Sequence, residues 1–206
     1  PDPLPGHPWY VLVQADDSLA PAVHAGTRLV GVRVPDSIVA RDLARAAGGR
    51  RLEHPQAGAA TSDPPLANPV DFVEFAVNVM PDTNYRLWLR LKGAGNSGYS
   101  DSVWVQTSDT VATGGAAVYR RGTTAATRVN LQDCAGCTIS GWGWQDNGYG
   151  TGVLGPALRF ATGGVQTIRI QAREDGVSID QIVLSPATYL TRAPGALKND
   201  TTILAK

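Results

Sequence analysis

The stretch from Gly141 to Gly150, GWGWQDNGYG, sets Trp142 and Trp144 two residues apart and follows them with Asp146, Asn147 and Tyr149. A saccharide site needs flat aromatic faces for the apolar side of a sugar ring, and amide, carboxylate or guanidinium groups for its hydroxyls. This Gly-rich loop supplies both. The competing reading is that the two indoles plug the open end of a β-sandwich while the polar groups fix the loop. Trp88 alternates with Arg86 and Arg90, and Trp104 with Ser102 and Gln106, so both indoles fall on polar strand faces. They either form a ligand platform, with Arg86 among its hydrogen-bonding groups, or pack beneath a loop; arginine stacking on indole serves both arrangements.

Glu174, Asp175 and Asp180 flank the last strands, and hard oxygen ligands around a loop and a strand end suit Ca2+. No EF-hand spacing accompanies them, and Asp180 has the alternatives of capping a turn or pairing with Arg169 or Arg173. Cys134 and Cys137, in Asp-Cys-Ala-Gly-Cys-Thr, are the only cysteines. There is no second CxxC, no βαβ pattern around them, and His7, His24 and His54 are distant in sequence. A local disulfide closing a tight loop is therefore the leading reading, with free thiols or a metal or redox site as the alternatives. A disulfide implies an oxidising, extracytoplasmic setting. No GxSxG, HExxH, Walker or GxGxxG motif occurs, so a non-catalytic protein is expected.

The elements holding these residues read as short strands. Apolar residues make up 43% of the 206 positions, enough for a real core, while charged residues are only 17% against about 25% in an ordinary soluble domain. With 23 Gly and 14 Pro, that composition suits many strands joined by turns. Lys+Arg and Asp+Glu balance at 18 each, so no net field favours nucleic acid. No apolar run approaches the roughly 18 residues of a membrane-spanning helix, and no membrane insertion is expected.

Val73, Phe75, Val77 and Val79 alternate with Glu74, Ala76 and Asn78, the period-two mark of a half-buried strand. After the turn Pro81-Asp82-Thr83-Asn84, Tyr85, Leu87, Leu89 and Leu91 alternate with Arg86, Trp88, Arg90 and Lys92, so the two strands read as an antiparallel pair. Further strands are expected at 27–34, 102–106, 117–120, 157–161, 165–173 and 177–185, with one short helical stretch at 42–47 and a Pro/Ala-rich loop over 53–69. Nothing resembles a βαβ unit. The expectation is an all-β, antiparallel β-sandwich of the jelly-roll kind.

Three regions follow: an extended N-terminal arm (1–26), the sandwich (27–190) and a C-terminal tail or linker (191–206). The start Pro1-Asp2-Pro3 reads as a processed chain or an excised region. The arm contains one β-prone strand, Trp9, Tyr10, Val11, Leu12 and Val13 at its heart, whose unpaired edge must pair with something. It either folds back onto its own sheet or completes the sheet of a neighbouring copy, which would build a head-to-tail filament or other homo-oligomer.

Five blocks carry a resemblance: Tyr85 to Arg90, Asp101 to Gln106, Asp133 to Cys137, Gly141 to Asn147, and Arg173 to Ile182. From about Gly26 to Leu204 the chain resembles bacterial extracellular modules related to the galactose-binding-like and malectin-like carbohydrate-binding domains. The resemblance implies a secreted or cell-surface jelly roll, a structural calcium ion, and a saccharide or cell-surface glycan as partner. Relatives that bind calcium place an acidic ligand early. Leu29-Val30-Gly31-Val32-Arg33 departs from that pattern.

Overall fold

The structure, a computed structural model, describes residues 9–14, 29–34, 64–69 and 72–204. The expected helical stretch at 42–47, the linker over 16–26 and most of the 53–69 loop lie outside the described residues. The described chain forms two sheets packed as a sandwich. The larger runs β2 (Leu29–Val34), β1 (Trp9–Gln14), β10 (Val177–Ser185), β4 (Asn84–Gly93), β7 (Gly143–Gln145), with β8 (Leu158–Arg159) pairing the start of β4. The smaller runs β3 (Phe72–Val79), β9 (Gly164–Ala172), β5 (Ser102–Thr107), β6 (Thr127–Asn130). Every pairing between these strands is antiparallel except β1 with β10, which is parallel from Tyr10↔Gln181 to Val13↔Leu184. The arm strand thus lies along β10 of its own chain.

One expectation is corrected. β3 and β4 do not pair: β3 lies against β9 (Val73↔Ile170) and β4 against β10 (Leu89↔Ile182), in opposite sheets. The chain crosses the sandwich in the turn between them. Asp82 takes φ 54° there, and Met80 N donates to the Tyr85 hydroxyl at 2.8 Å. Alternation could not reveal this, because strands facing one interior from either side carry the same period. β9 and β10 divide between the sheets in the same way, a connectivity consistent with a jelly roll.

The interior takes the apolar phase of each strand. Leu89, Leu91, Val103, Val105, Ile168 and Ile170 are wholly buried, each contributing about 1.5–3 kcal/mol relative to exposure. Residues 117–120, expected as a strand, make only isolated bridges, Thr107↔Arg120 and Val111↔Ala117. β6 and β7 were not expected, since TRVN and GWQ are too short to show a period.

Both outer faces are covered. On the larger sheet, Trp88, Trp144 and Val183 pack under Tyr189, Ala193, Leu197 and Leu204. The segment expected as a tail or linker is bound here as a third layer. Trp144 N donates to Ala196 O (3.0 Å), Asp200 N to Trp142 O (2.7 Å), and the Gln181 amide exchanges two bonds with Leu204. Gly143 permits this approach, since a Cβ there would stand 1.9 Å from the Leu197 carbonyl oxygen. On the smaller sheet, Leu66 bonds Gln171, and Glu74 joins Arg169 and Arg121. The β6 edge of that sheet borders a pocket.

Candidate ligand-binding site

At one end of the sandwich a pocket of about 260 Å3 is lined by Gly98, Tyr99, Arg128, Asn130, Gln132, Tyr149, Arg173 and Glu174. Four pieces of chain converge there. The loop after the 3-10 turn Ala94–Asn96 brings Gly98 and Tyr99, the outward phase of β6 and the residues just beyond bring Arg128, Asn130 and Gln132, the β7–β8 loop brings Tyr149, and the β9–β10 turn brings Arg173 and Glu174. Tyr99 is 70% exposed and Tyr149 50%, so both rings are open to solvent. The Arg128 guanidinium lies 5.2 Å from the Tyr149 ring centre, and Arg173 lies 5.4 Å from that of Trp104. A Cβ on Gly98 would come within 2.6 Å of Gln132 Oε1, so a side chain there would have to displace the Gln132 amide.

A hydrogen-bond network behind the pocket fixes these groups. Glu174 Oε2 accepts from Ser102 Oγ (2.7 Å) and Asp101 N (3.0 Å), while Arg173 bonds both Glu174 Oε1 and Ser102 Oγ. Asp101 has no exposed surface and receives the Gln132 amide on Oδ2. Burial pushes its carboxyl up to about 7. The hydrogen bond and charge of Glu174 push the same way, against the Gln132 amide and Arg173. Gln132 in turn donates to Cys137 O, which ties the pocket to the loop closed by the Cys134–Cys137 disulfide.

The structure divides the residues expected to bind a ligand. Tyr149 lines the pocket. Trp88 and Trp144 lie beneath the third layer, where Trp88 Nε1 donates to Tyr189 O (2.7 Å) and Trp144 has no exposed surface. Arg86 and Asp146 form a buried ion pair at 2.6 Å, and Arg86 also donates to the carbonyls of Leu190 (3.0 Å) and Gly155. Asn147 donates to Thr127 Oγ1 (3.2 Å). Trp142 is half-buried and covers Arg90, whose guanidinium lies 5.0 Å from its ring centre. Sequence reasoning missed Tyr99, Arg128, Asn130, Gln132 and Arg173; an exposed Tyr99 in a Gly/Asn/Ser-rich loop was the one visible signal.

The expected calcium ligands do not converge. Asp180 sits at the β10 bulge and pairs with Arg90, which also bonds Asp200 (2.7 Å). Glu174 is engaged by Arg173 and Ser102. Burial lifts Asp180 to about 6 against the pull of Arg90. Burial also raises Asp200, but bonds from Arg90, Thr202 and Ala196 outweigh it and hold Asp200 below its ordinary value. Two carboxylates sharing one guanidinium are a structural ion network, and Glu174, Asp175 and Asp180 are not among the described groups whose ligand atoms lie together. Among the described residues, Asp133, Cys134 and Cys137 do lie together, but both sulfurs are joined in the disulfide and neither is a thiolate ligand. Among the described residues no helix is long and apolar enough to cross a membrane. No family model matches the sequence, and no curated protein matches it.

Proposed function

We propose that this chain is a non-catalytic, extracellular carbohydrate-binding module whose site is the pocket lined by Tyr99 and Tyr149. The carrying observation is two solvent-open phenol rings in one pocket with two guanidinium groups, two side-chain amides and a carboxylate. Flat apolar faces beside converging donors and acceptors are what sugar rings require. The volume, about 260 Å3, lies just below the ~300–1,000 Å3 range of small-molecule sites and favours one ring or a chain end over a long groove. The disulfide supports an oxidising, extracellular setting.

The Asp101–Glu174 pair supports binding over hydrolysis. Glycosidases hold two carboxyls roughly 5–9.5 Å apart with the scissile bond between them. Here the Asp101 backbone N–H donates to Glu174 Oε2, and Asp101 has no surface with which to reach a substrate. The pair therefore acts as a support for Arg173 and Gln132.

A glycan array probed with the wild-type chain and with Tyr99→Ala/Tyr149→Ala tests the proposal. Both rings are exposed, so the double variant should keep its melting temperature and lose binding by about tenfold or more. Silence of the wild type across a broad array of neutral and acidic glycans would overturn the reading, as would binding that the double variant retains in full.

A further inference from the structure

Arg128 differs from the other charged groups of the pocket. Arg173 is bonded to Glu174 and Ser102, and Glu174 in turn accepts from Ser102 and Asp101. Arg128, across β5–β6 from Trp104, has Tyr149 beneath its guanidinium and makes no ion pair or hydrogen bond among the described residues. The ring lies 5.2 Å from the guanidinium carbon, and the N–H groups have no acceptor among the described residues, so they form a planar fork that fits a carboxylate better than single hydroxyls. Two guanidinium groups against one carboxylate leave the lining with a surplus positive charge. An arginine with no anionic partner among the described residues, held beside an aromatic ring at the wall of a pocket, is placed to pair with a ligand.

We propose that the pocket takes an acidic saccharide, a uronic acid residue or a chain bearing one, and that Arg128 receives its carboxylate. The inference rests on the carbohydrate-binding reading above and adds the class of sugar. Tyr99 and Tyr149 bring exposed aromatic rings, Asn130 and Gln132 line the same space with amides, and Arg128 supplies the charge that separates an acidic sugar from its neutral counterpart. Tyr149 is then a positioning residue as well as a contact, because it holds the guanidinium.

Calorimetry with the full chain tests this on matched ligands: trigalacturonate against galactotriose, and a glucuronate-bearing xylo-oligosaccharide against the unsubstituted one. At least one acidic member should bind about tenfold tighter than its neutral counterpart at low salt, the lower end for a charge-assisted bond. That advantage should shrink as NaCl rises to about 0.5 M, since the arginine is solvent-accessible. Arg128→Gln should remove the preference, so that acidic and neutral members bind alike, while Arg128→Lys keeps part of it. Equal binding of acidic and neutral members, a preference that survives in Arg128→Gln, or a stronger response to sulfated oligosaccharides overturns the inference and leaves the carbohydrate-binding reading standing. Absence of binding to every member of both classes also overturns the inference, and silence on the broad glycan array removes the carbohydrate-binding reading with it.

Discussion

Replacing Asp101 with asparagine isolates a proton that the fold holds on a carboxyl. The folded value is about 7 against an ordinary 3.8, so between these two pH values the native state binds a proton that the unfolded chain has released. Stability from this group is therefore fully present below the unfolded value and is lost as pH rises through about 7. The linkage relation gives a loss of about 3 kcal/mol between about pH 4.5 and about pH 7.5. For a domain of this size that corresponds to roughly 6–12 °C in melting temperature. Asparagine keeps an acceptor for the Gln132 amide and offers Glu174 a permanent donor, so Asp101→Asn should match the wild type near pH 4.5. It should exceed the wild type by about 3 kcal/mol near pH 7.5. Urea unfolding of both proteins at the two pH values is the assay. Asp180, lifted to about 6, adds a slope of the same sign, and Asp109 and Asp200, both lowered, add the opposite one. These are common to both proteins and cancel in the difference. If wild type and variant change in parallel across this window, Asp101 does not carry the proton and the buried-pair account of the pocket's support is wrong.

Three further outcomes follow from the packing. Gly143→Ala should dislodge the covering segment at Leu197, lower the unfolding midpoint and expose Trp144, read as a red shift in tryptophan emission; an unchanged spectrum would show that the segment does not depend on this contact. The Cys134→Ser/Cys137→Ser variant should lose no more than about 2 kcal/mol, because the disulfide closes a very short loop. A larger loss, measured by urea unfolding, would show that the loop's native packing and not its closure is at stake. Deleting residues 1–26 should uncover the β10 edge that β1 occupies, lowering stability and promoting aggregation. Sedimentation in which the intact chain forms polymers that the deletion abolishes would instead assign the arm strand to a neighbouring copy.

Alternation in Val73–Val79 and Tyr85–Leu91 made the sandwich legible, because burial on one face of a strand writes itself as a period of two. It could not assign strands to sheets, since both layers share one interior. The fate of Trp88 and Trp144 was hidden for a different reason. What covers them is the irregular stretch 186–204, which has no period to read and attaches through backbone bonds such as Trp144 N to Ala196 O. A polar strand face under such a layer looks, in sequence, like one open to ligand. The pocket was hidden by distance: Tyr99, Arg128, Tyr149 and Arg173 are widely separated in the chain and meet only because four connections end together. Of that group, Tyr149 alone was expected to touch a ligand.

The arginines on the two outer faces separate by what folding requires of them. Arg86 and Arg90 are almost wholly buried, and a buried guanidinium left without an anion costs several kcal/mol, so each must be paired before the third layer can close. Asp146 meets that demand for Arg86, and Asp180 with Asp200 for Arg90. Arg128 stays solvated at the pocket wall, where folding makes no such demand, and stacking on an exposed ring is sufficient to place it. Pairing it with a protein carboxylate would have stabilised little, because exposed ion pairs contribute about 0–1 kcal/mol, and would have blocked its free edge. A guanidinium held in position yet unpaired among the described residues is therefore the arrangement expected of a group whose partner arrives from solution.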